Sequence, residues 1–442
     1  MIDTNTIPPL SALREEMAAC IKCAACMPVC PTYQEERRES RGPRGRLALA
    51  VGLLEGRLRG DEGAVAPISS CIDCRACVPA CPRHIPLAEV FYAAKGELSR
   101  QGSAGWPVRL LAATTRHILL KRWMAALLPL GRMALSFYHG IADGSPVARF
   151  FPFFRNGKKR NLPDIVQQPM TGAWPEVVTP AGEVKGRVAF FPGCVINFTG
   201  TDIGHATVRA LSKLGVEVVI PRDAPCCGIP LLSLGDRAAA REVARDVINR
   251  YSGLEVDWVI TACASCGTTL RDTYPTLVPG EESRDFAAKV LDVAEFITRH
   301  TDYRERAGHL DVNVTYHDPC HLVRGMGVTE EPREILRRVA GGGFKEMAEA
   351  DTCCGFGGLF SALHYDLSLK VGANKAGNVA DSGASLVATG CPGCQMQMHD
   401  TLSRAGVNAR VVHTVELLDR ALEGENVSPN VSRLVSLTEH FM

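Results

Sequence analysis

Hydrophobic and polar positions divide this chain into two unlike halves. From about residue 186, short apolar runs alternate with amphipathic stretches: GRVAFFPGC (186–194), GVEVVIPRDAPCCG (215–228), the helix-patterned LGDRAAAREVARDVINRY (234–251) and VDWVITACASCG (256–267). Apolar runs of strand length, separated by helical periodicity, predict parallel strands covered by helices. The pattern then recurs in VNVTYHDPC (312–320), ADTCCG (350–355) and ASLVATGCPGC (384–394). Matching cysteines are offset by 126 residues (Cys194 to Cys320), 127 (Cys226 to Cys353) and 128 (Cys263 to Cys391), the mark of an internal duplication. The first half reads as helical instead. GPRGRLALAVGLLEG (42–56) predicts a helix from Arg46 to Leu54, and LAEVFYAAKGELSRQG (87–102) predicts another.

Between the halves lies the most apolar region, roughly 104–155, interrupted by Arg109, Arg116, Lys121, Arg122 and Arg132. No uncharged stretch reaches the roughly eighteen residues that span a bilayer. The pattern predicts two or three basic amphipathic helices packed on the rest of the protein, with contact to a membrane surface as the other reading.

Composition narrows the function. With 442 residues, 46% hydrophobic and 22% charged, the chain can bury a core in several domains. A formal net charge of +1 gives no reason to expect a nucleic-acid partner. The start, MIDTNTIPPLSALREEM, lacks the charged-then-apolar form of a secretory leader, so a cytoplasmic protein is expected. Eighteen cysteines in such a chain point to metal or redox chemistry rather than to structural disulfides.

Two stretches nearly superimpose: CIKCAACMPVCP (20–31) and CIDCRACVPACP (71–82). Each has three cysteines at intervals of three, a fourth four residues on, then proline, which is the spacing of a bacterial two-cluster ferredoxin. Three thiolates on one loop hold three corners of a cubane, and the fourth crosses to the other cluster. One [4Fe–4S] cluster is therefore expected at Cys20, Cys23, Cys26 and Cys81, the other at Cys71, Cys74, Cys77 and Cys30. Zinc also accepts four thiolates, but its sites come as separated pairs. Arg41, Arg44 and Arg46 are either partners of cluster charge or a solvated loop and helix start.

In the second half, Cys194, Cys226, Cys227, Cys263 and Cys266 of one repeat, and Cys320, Cys353, Cys354, Cys391 and Cys394 of the other, are each expected where a strand stops. Ligands of parallel sheets collect there, so five thiols per repeat should converge on one metal-binding crevice. Vicinal disulfides, or a thioredoxin-type pair in CPGC, are the competing readings. His317 and His321 flank Cys320; they could donate hydrogen bonds to cluster sulfur, relay protons, or be structural. His205, His364 and His413 receive no role.

Two ferredoxin runs followed by duplicated Cys, Cys-Cys-Gly and Cys-x-x-Cys resemble the fused iron–sulfur proteins with cysteine-rich CCG domains. That family includes the iron–sulfur subunit of glycolate oxidase, lactate-utilisation proteins, the third subunit of anaerobic glycerol-3-phosphate dehydrogenase and a heterodisulfide reductase subunit. The resemblance covers nearly all of the chain outside about 103–180. It implies one or two further, noncubane [4Fe–4S] centres at the two five-cysteine sets, because both sets are complete. No G-x-G-x-x-G opens a helix after a strand, and GFGGLF (355–360) lacks the third glycine. The FAD of a two-electron oxidation is thus expected on a partner dehydrogenase subunit, with a quinone or other acceptor beyond, the basic helices bringing the complex to the inner face of the membrane. No residue here is expected to be catalytic. A third subunit of an anaerobic glycerol-3-phosphate dehydrogenase, disulfide reduction at a noncubane centre and a redox sensor are the other readings.

The expected fold is α+β and multidomain. Residues 1–102 form a helical two-cluster ferredoxin-type domain and 103–180 a basic helical linker. The duplicated α/β domain follows in 181–310 and 311–425, its parallel strands ending at cysteine ligands, with a tail at 426–442.

Overall fold

The computed structural model describes residues 9–423 apart from 61, 104–105, 122, 144, 146–153 and 156–157. The sequence readings of Arg122 and of the tail 426–442 fall outside these residues.

The N-terminal part is helical. Helix α1 (Pro43–Leu54) begins three residues before the expected Arg46. Pro43 takes the first helical turn, where a missing N–H costs nothing and the fixed φ suits the helix. Leu47, Ala50 and Leu53 of α1 pack against Val90, Phe91 and Ala94 of α2 (Leu87–Arg100), with Ile68 and Met17 closing the core. Helix α3 (Trp106–Leu120) follows and packs on the first repeat, where Arg116 pairs with Asp236 at 3.3 Å. In α4 (Leu128–Gly140) Leu130, Met133 and Phe137 are left exposed. No helix among the described residues is long and apolar enough to cross a membrane.

The second half carries two parallel sheets. The first contains β1 (Val177–Val178), β2 (Gly186–Phe190), β3 (Val216–Val219), β4 (Trp258–Thr261) and β5 (Val290–Asp292), in the order β1-β3-β2-β4-β5. Only β1 is antiparallel. The central pairs Val188↔Val218 and Ala189↔Val259 are buried, as strands covered on both faces require. Helices α5 (Thr201–Lys213) and α6 (Arg237–Ser252) provide the crossovers. The second sheet has β6 (Val314–His317), β7 (Leu386–Thr389) and β8 (Arg410–His413), in the order β8-β7-β6. Its helices are α7 (Tyr365–Ser382), α8 (Pro392–Ala405) and α9 (Thr414–Ala421).

One expectation needs correcting. Not every cysteine lies where a strand stops. Cys226 and Cys227 follow a further loop after β3, and no strand precedes Cys353. That segment makes a single bridge, Phe344 to Val314. The first repeat has VEVV there, whereas GGGFKEMAEA in the second has three glycines and no β-branched residue, so a strand is disfavoured. The two repeats nonetheless share one hydrophobic core. Asp419 of α9 binds Arg209 (2.6 Å) and Lys213 (2.9 Å) of α5, and His413 Nε2 donates to the Ala262 carbonyl at 3.0 Å.

Candidate metal centres

The two N-terminal cysteine loops have the same backbone. Lys22 and Ala24 in the first, Asp73 and Arg75 in the second, take left-handed φ values of 58°, 63°, 62° and 58°. The matched turns Met27 N–H to Ala24 O (2.9 Å) and Val78 N–H to Arg75 O (3.0 Å) close them. Non-glycine residues at positive φ are unfavourable by about 1 kcal/mol each and persist where the surroundings impose them. Here they fold each loop around its sulfurs. Cys20, Cys23, Cys26 and Cys81 line one cavity; Cys30, Cys71, Cys74 and Cys77 line a second. The structure thus brings together the two groups of four that the spacing predicted.

Arg46, 1% exposed, reaches into the second cavity. Its Nη1 lies 3.7 Å from Cys30 Sγ, while Nη2 donates to Thr32 Oγ1 (2.8 Å) and Nε to the Pro67 carbonyl (2.8 Å). Arg44 lies at the wall of the first cavity, paired with Glu39 and donating to the Lys22 carbonyl at 3.3 Å, and Arg41 pairs with Glu36 and the Ala66 carbonyl. Burial, then the Cys320 and Cys30 sulfurs, push the Cys74 thiol well up; burial, then Cys71 and Cys30, do the same at Cys77. Thiols so crowded resist ionising together unless a cation compensates them. All eighteen cysteines are free. The donor sets therefore fit soft, positively charged iron of an iron–sulfur cluster.

In the first repeat Cys226 Sγ lies 3.8 Å from Cys194 Sγ, and Cys227 sits between Cys226 and Cys266. Cys266 presses on Gly193, where a Cβ would come within 2.7 Å of its sulfur. The second repeat runs in parallel: Cys320 beside Cys353, Cys354 beside Cys394. Gly228 (φ 85°) and Gly355 (φ 90°) direct their N–H groups at Cys226 (3.5 Å) and Cys353 (3.3 Å). A Cβ on Gly355 would meet the Ser368 carbonyl at 2.5 Å, so the vicinal pairs depend on glycine. Within each repeat the five sulfurs follow one another as neighbours, Cys194, Cys226, Cys227, Cys266 and Cys263 in the first and Cys320, Cys353, Cys354, Cys394 and Cys391 in the second. Cys263 and Cys391, which open the two Cys-x-x-Cys pairs, also interact with each other across the repeat boundary, and Ser265 Oγ approaches Cys391 Sγ at 4.0 Å.

The two N-terminal sites connect to these. Cys74 interacts with Cys320 and Cys353, and a small apolar cluster of Ile72, Cys74, Cys353 and Phe360 fills the junction. His321 bonds the Asp73 carbonyl through Nε2 (2.9 Å) and Ser265 Oγ through Nδ1 (3.1 Å). Burial opposes its charge, but the Asp73 carboxylate and Cys320 outweigh this and push it up to about 9. Asp73 also accepts from Tyr92, and Arg75 pairs with Asp272 at 2.5 Å. His317 is fully buried beside Cys354 and Cys394. Burial, then Lys375, push it down to about 3. Asp73, Ser265 and Tyr92 were missed by sequence reasoning. Laying the two cysteine loops over each other gives the signal for one: Asp73 stands where the first loop has Lys22.

Comparison with known proteins agrees with this arrangement. Residues 16–85 match the 4Fe-4S dicluster domain, and 188–271 and 314–399 each match the cysteine-rich domain. The fold and the thiol sites thus define a fused iron–sulfur protein. The chain is 30% identical to the probable glycolate oxidase iron-sulfur subunit of Bacillus subtilis (strain 168) over 416 residues, 91% of this chain and 93% of that one. It is 28% identical to a fumarate reductase (CoM/CoB) subunit of Methanothermobacter marburgensis, over 92% of this chain and 73% of that one. Lactate utilization protein A of Geobacillus kaustophilus is 30% identical over 53% of this chain and 98% of its own length. The chain belongs to the family of iron–sulfur proteins that join a 4Fe-4S dicluster domain to a duplicated cysteine-rich domain and that includes the glycolate oxidase iron-sulfur subunit.

Proposed function

We propose that this protein is the iron–sulfur electron-transfer subunit of a multi-subunit, FAD-linked 2-hydroxyacid dehydrogenase acting on glycolate or lactate. Electrons pass from a flavin on a partner subunit to a quinone or another acceptor. The observation that carries this reading is the continuity of thiol sites. One N-terminal cavity lies beside the next, Cys74 of the second abuts Cys320 and Cys353, and Cys391 meets Cys263. In this reading Cys20, Cys23, Cys26 and Cys81 hold one [4Fe–4S] cluster, and Cys71, Cys74, Cys77 and Cys30 hold another. Cys194, Cys226, Cys227, Cys263 and Cys266, and Cys320, Cys353, Cys354, Cys391 and Cys394, hold the centres of the repeats. Clusters bound at these thiols supply the one-electron steps that link a two-electron flavin to its acceptor.

The chain's own side chains set the conditions at each site. Arg46 offers positive charge and an N–H to Cys30. His321 and Asp73 pin the second cysteine loop to both repeats, and the apolar junction around Ile72 and Phe360 excludes water. The likeness to glycolate oxidase and lactate-utilisation proteins supports the substrate class. Exposed Leu110, Leu130 and Met133 beside Arg109 and Arg132 support a peripheral position at the inner face of the membrane.

An anaerobic pull-down from the native host, with flavin and iron analysis, tests the reading. A co-purifying flavoprotein should reduce this chain's clusters when given glycolate or lactate. A second reading, disulfide reduction at the repeats, is favoured by the half-exposed Cys194 and Cys320 beside otherwise buried thiols. Partners without a dehydrogenase, together with disulfide cleavage by the reduced protein, would replace the first reading with the second.

A further inference from the structure

The two repeats match cysteine for cysteine but differ in one buried position beside them. Three residues before Cys194 stands Phe191; three before Cys320 stands His317. Phe191 packs against Tyr251 in an ordinary tilted aromatic contact, with ring centroids 5.5 Å apart. His317 is 0% exposed, and among the described residues neither ring nitrogen makes a hydrogen bond of ordinary geometry, the Ala350 backbone being its one polar neighbour of that kind. The Ala350 carbonyl nearby is already used twice, by Asp318 N–H (3.0 Å) and Lys375 Nζ (3.2 Å). Leaving such a buried polar group unsatisfied is destabilising. A phenylalanine is tolerated at this place in the fold, so the imidazole is not required for packing.

One ring nitrogen of His317 and the sulfurs of Cys354 and Cys394 all lie within 4.8 Å of one another. We propose that His317 is a nitrogen ligand of the metal centre in the second cysteine-rich repeat, alongside Cys354 and Cys394, so that the two repeat centres are chemically unequal. This rests on reading the repeats as iron–sulfur sites. A hydrogen bond from the ring to cluster sulfur would satisfy only its N–H and leave the other nitrogen's lone pair buried. Ligation uses that lone pair and leaves the N–H free to donate to sulfur. The neutral imidazole binds without losing a proton. Replacing thiolate by imidazole donors raises the potential of an iron–sulfur centre. A thiolate at position 317 would therefore give this centre a lower potential than the imidazole does.

The test uses the whole chain, purified anaerobically with its clusters and labelled with ¹⁵N in histidine only. Pulsed EPR of the paramagnetic signal that Cys354→Ser abolishes should show a histidine nitrogen coupling of directly bonded size. The coupling should vanish in His317→Phe, which copies the first repeat, and persist in His321→Gln. In His317→Cys the midpoint potential of that signal should move to more negative values. If His317→Phe does not fold, the labelled wild type and His321→Gln still decide: coupling that disappears in His321→Gln overturns the assignment. A Cys354-dependent signal with only weak histidine coupling also overturns it, while leaving the repeat as a cluster site. No Cys354-dependent signal and no iron lost in Cys354→Ser overturns both.

Discussion

Arg46 shows how one side chain ties a cluster loop to its helix. Its guanidinium is buried with no carboxylate partner among the described residues; it donates instead to Thr32, Ser70 and the Pro67 carbonyl, and approaches Cys30 Sγ at 3.7 Å. A buried cation without a carboxylate is costly unless anionic sulfur lies near it. Positive charge and N–H donation to sulfur both favour the more negative, reduced state of a cluster. Arg46→Gln should therefore shift the midpoint potential of the centre at Cys30, Cys71, Cys74 and Cys77 to more negative values. It should also destabilise the N-terminal domain by about 2–4 kcal/mol through carbonyls left unpaired. Redox titration followed by EPR and chemical denaturation check the two effects. Arg44→Gln, at a residue that lines the first cavity and not the second, should leave that centre's potential where it was.

At the scale of elements, strand–helix junctions carry both chemistry and stability. Cys263 and Cys391 are the N-cap residues of the helices that follow β4 and β7. At the next strand ends the equivalent residues are Asp292, the last of β5, and His413, the last of β8, each accepting a backbone N–H from the helix it opens. Burial pushes the Asp292 carboxyl up to about 8, although the cap hydrogen bond from Ala294 favours its charge. The folded state therefore holds a proton that the unfolded chain releases near 3.8. Stability from this group is complete below the unfolded value and is lost as pH rises through the folded one, by up to about 1.4 kcal/mol per pH unit. Asp292→Asn keeps an oxygen to cap the helix and removes the titration. The variant should lose this slope between about pH 4 and 8, read as the urea midpoint across that range. Much at this scale was legible in the sequence. The ferredoxin spacing is a local signal, and apolar runs such as VAFF and WVIT can only be buried strands. The missing strand before Cys353 was not legible, because the offset of cysteines carries the duplication while the backbone follows GGGFKEMAEA. His317 flanks Cys320 in the sequence, but the structure sets its ring beside Cys354 and Cys394, with the nearby Ala350 carbonyl taken by Lys375 and Asp318, which no single stretch reveals.

For the molecule as a whole, the duplication acts through a shared interior rather than as two separate units. Arg209 and Lys213 of the first repeat close on Asp419 of the second, and His413 of the second bonds Ala262 of the first. That pairing turns Cys263 and Cys391 toward each other, a contact set by tertiary packing and invisible in their sequence offset. The N-terminal domain contacts this interior asymmetrically. Cys74 meets Cys320 and Cys353 of the second repeat, whereas the first is met by Arg75, which pairs with Asp272, and by Tyr92, which enters the shared core, and not by a thiol. The order of sites along the chain of thiols follows: the Cys20 cavity, the Cys74 cavity, the second repeat, then the first. Paramagnetic centres that share a wall broaden and split each other's EPR signals, and the interaction falls steeply with distance. The fully reduced protein should therefore show magnetic interaction between the Cys74 centre and that of the second repeat. Loss of the second-repeat centre through Cys354→Ser should narrow the Cys74 signal, whereas loss of the first through Cys227→Ser should leave its width unchanged. Narrowing by Cys227→Ser and not by Cys354→Ser would reverse the order of the two repeats along the electron path.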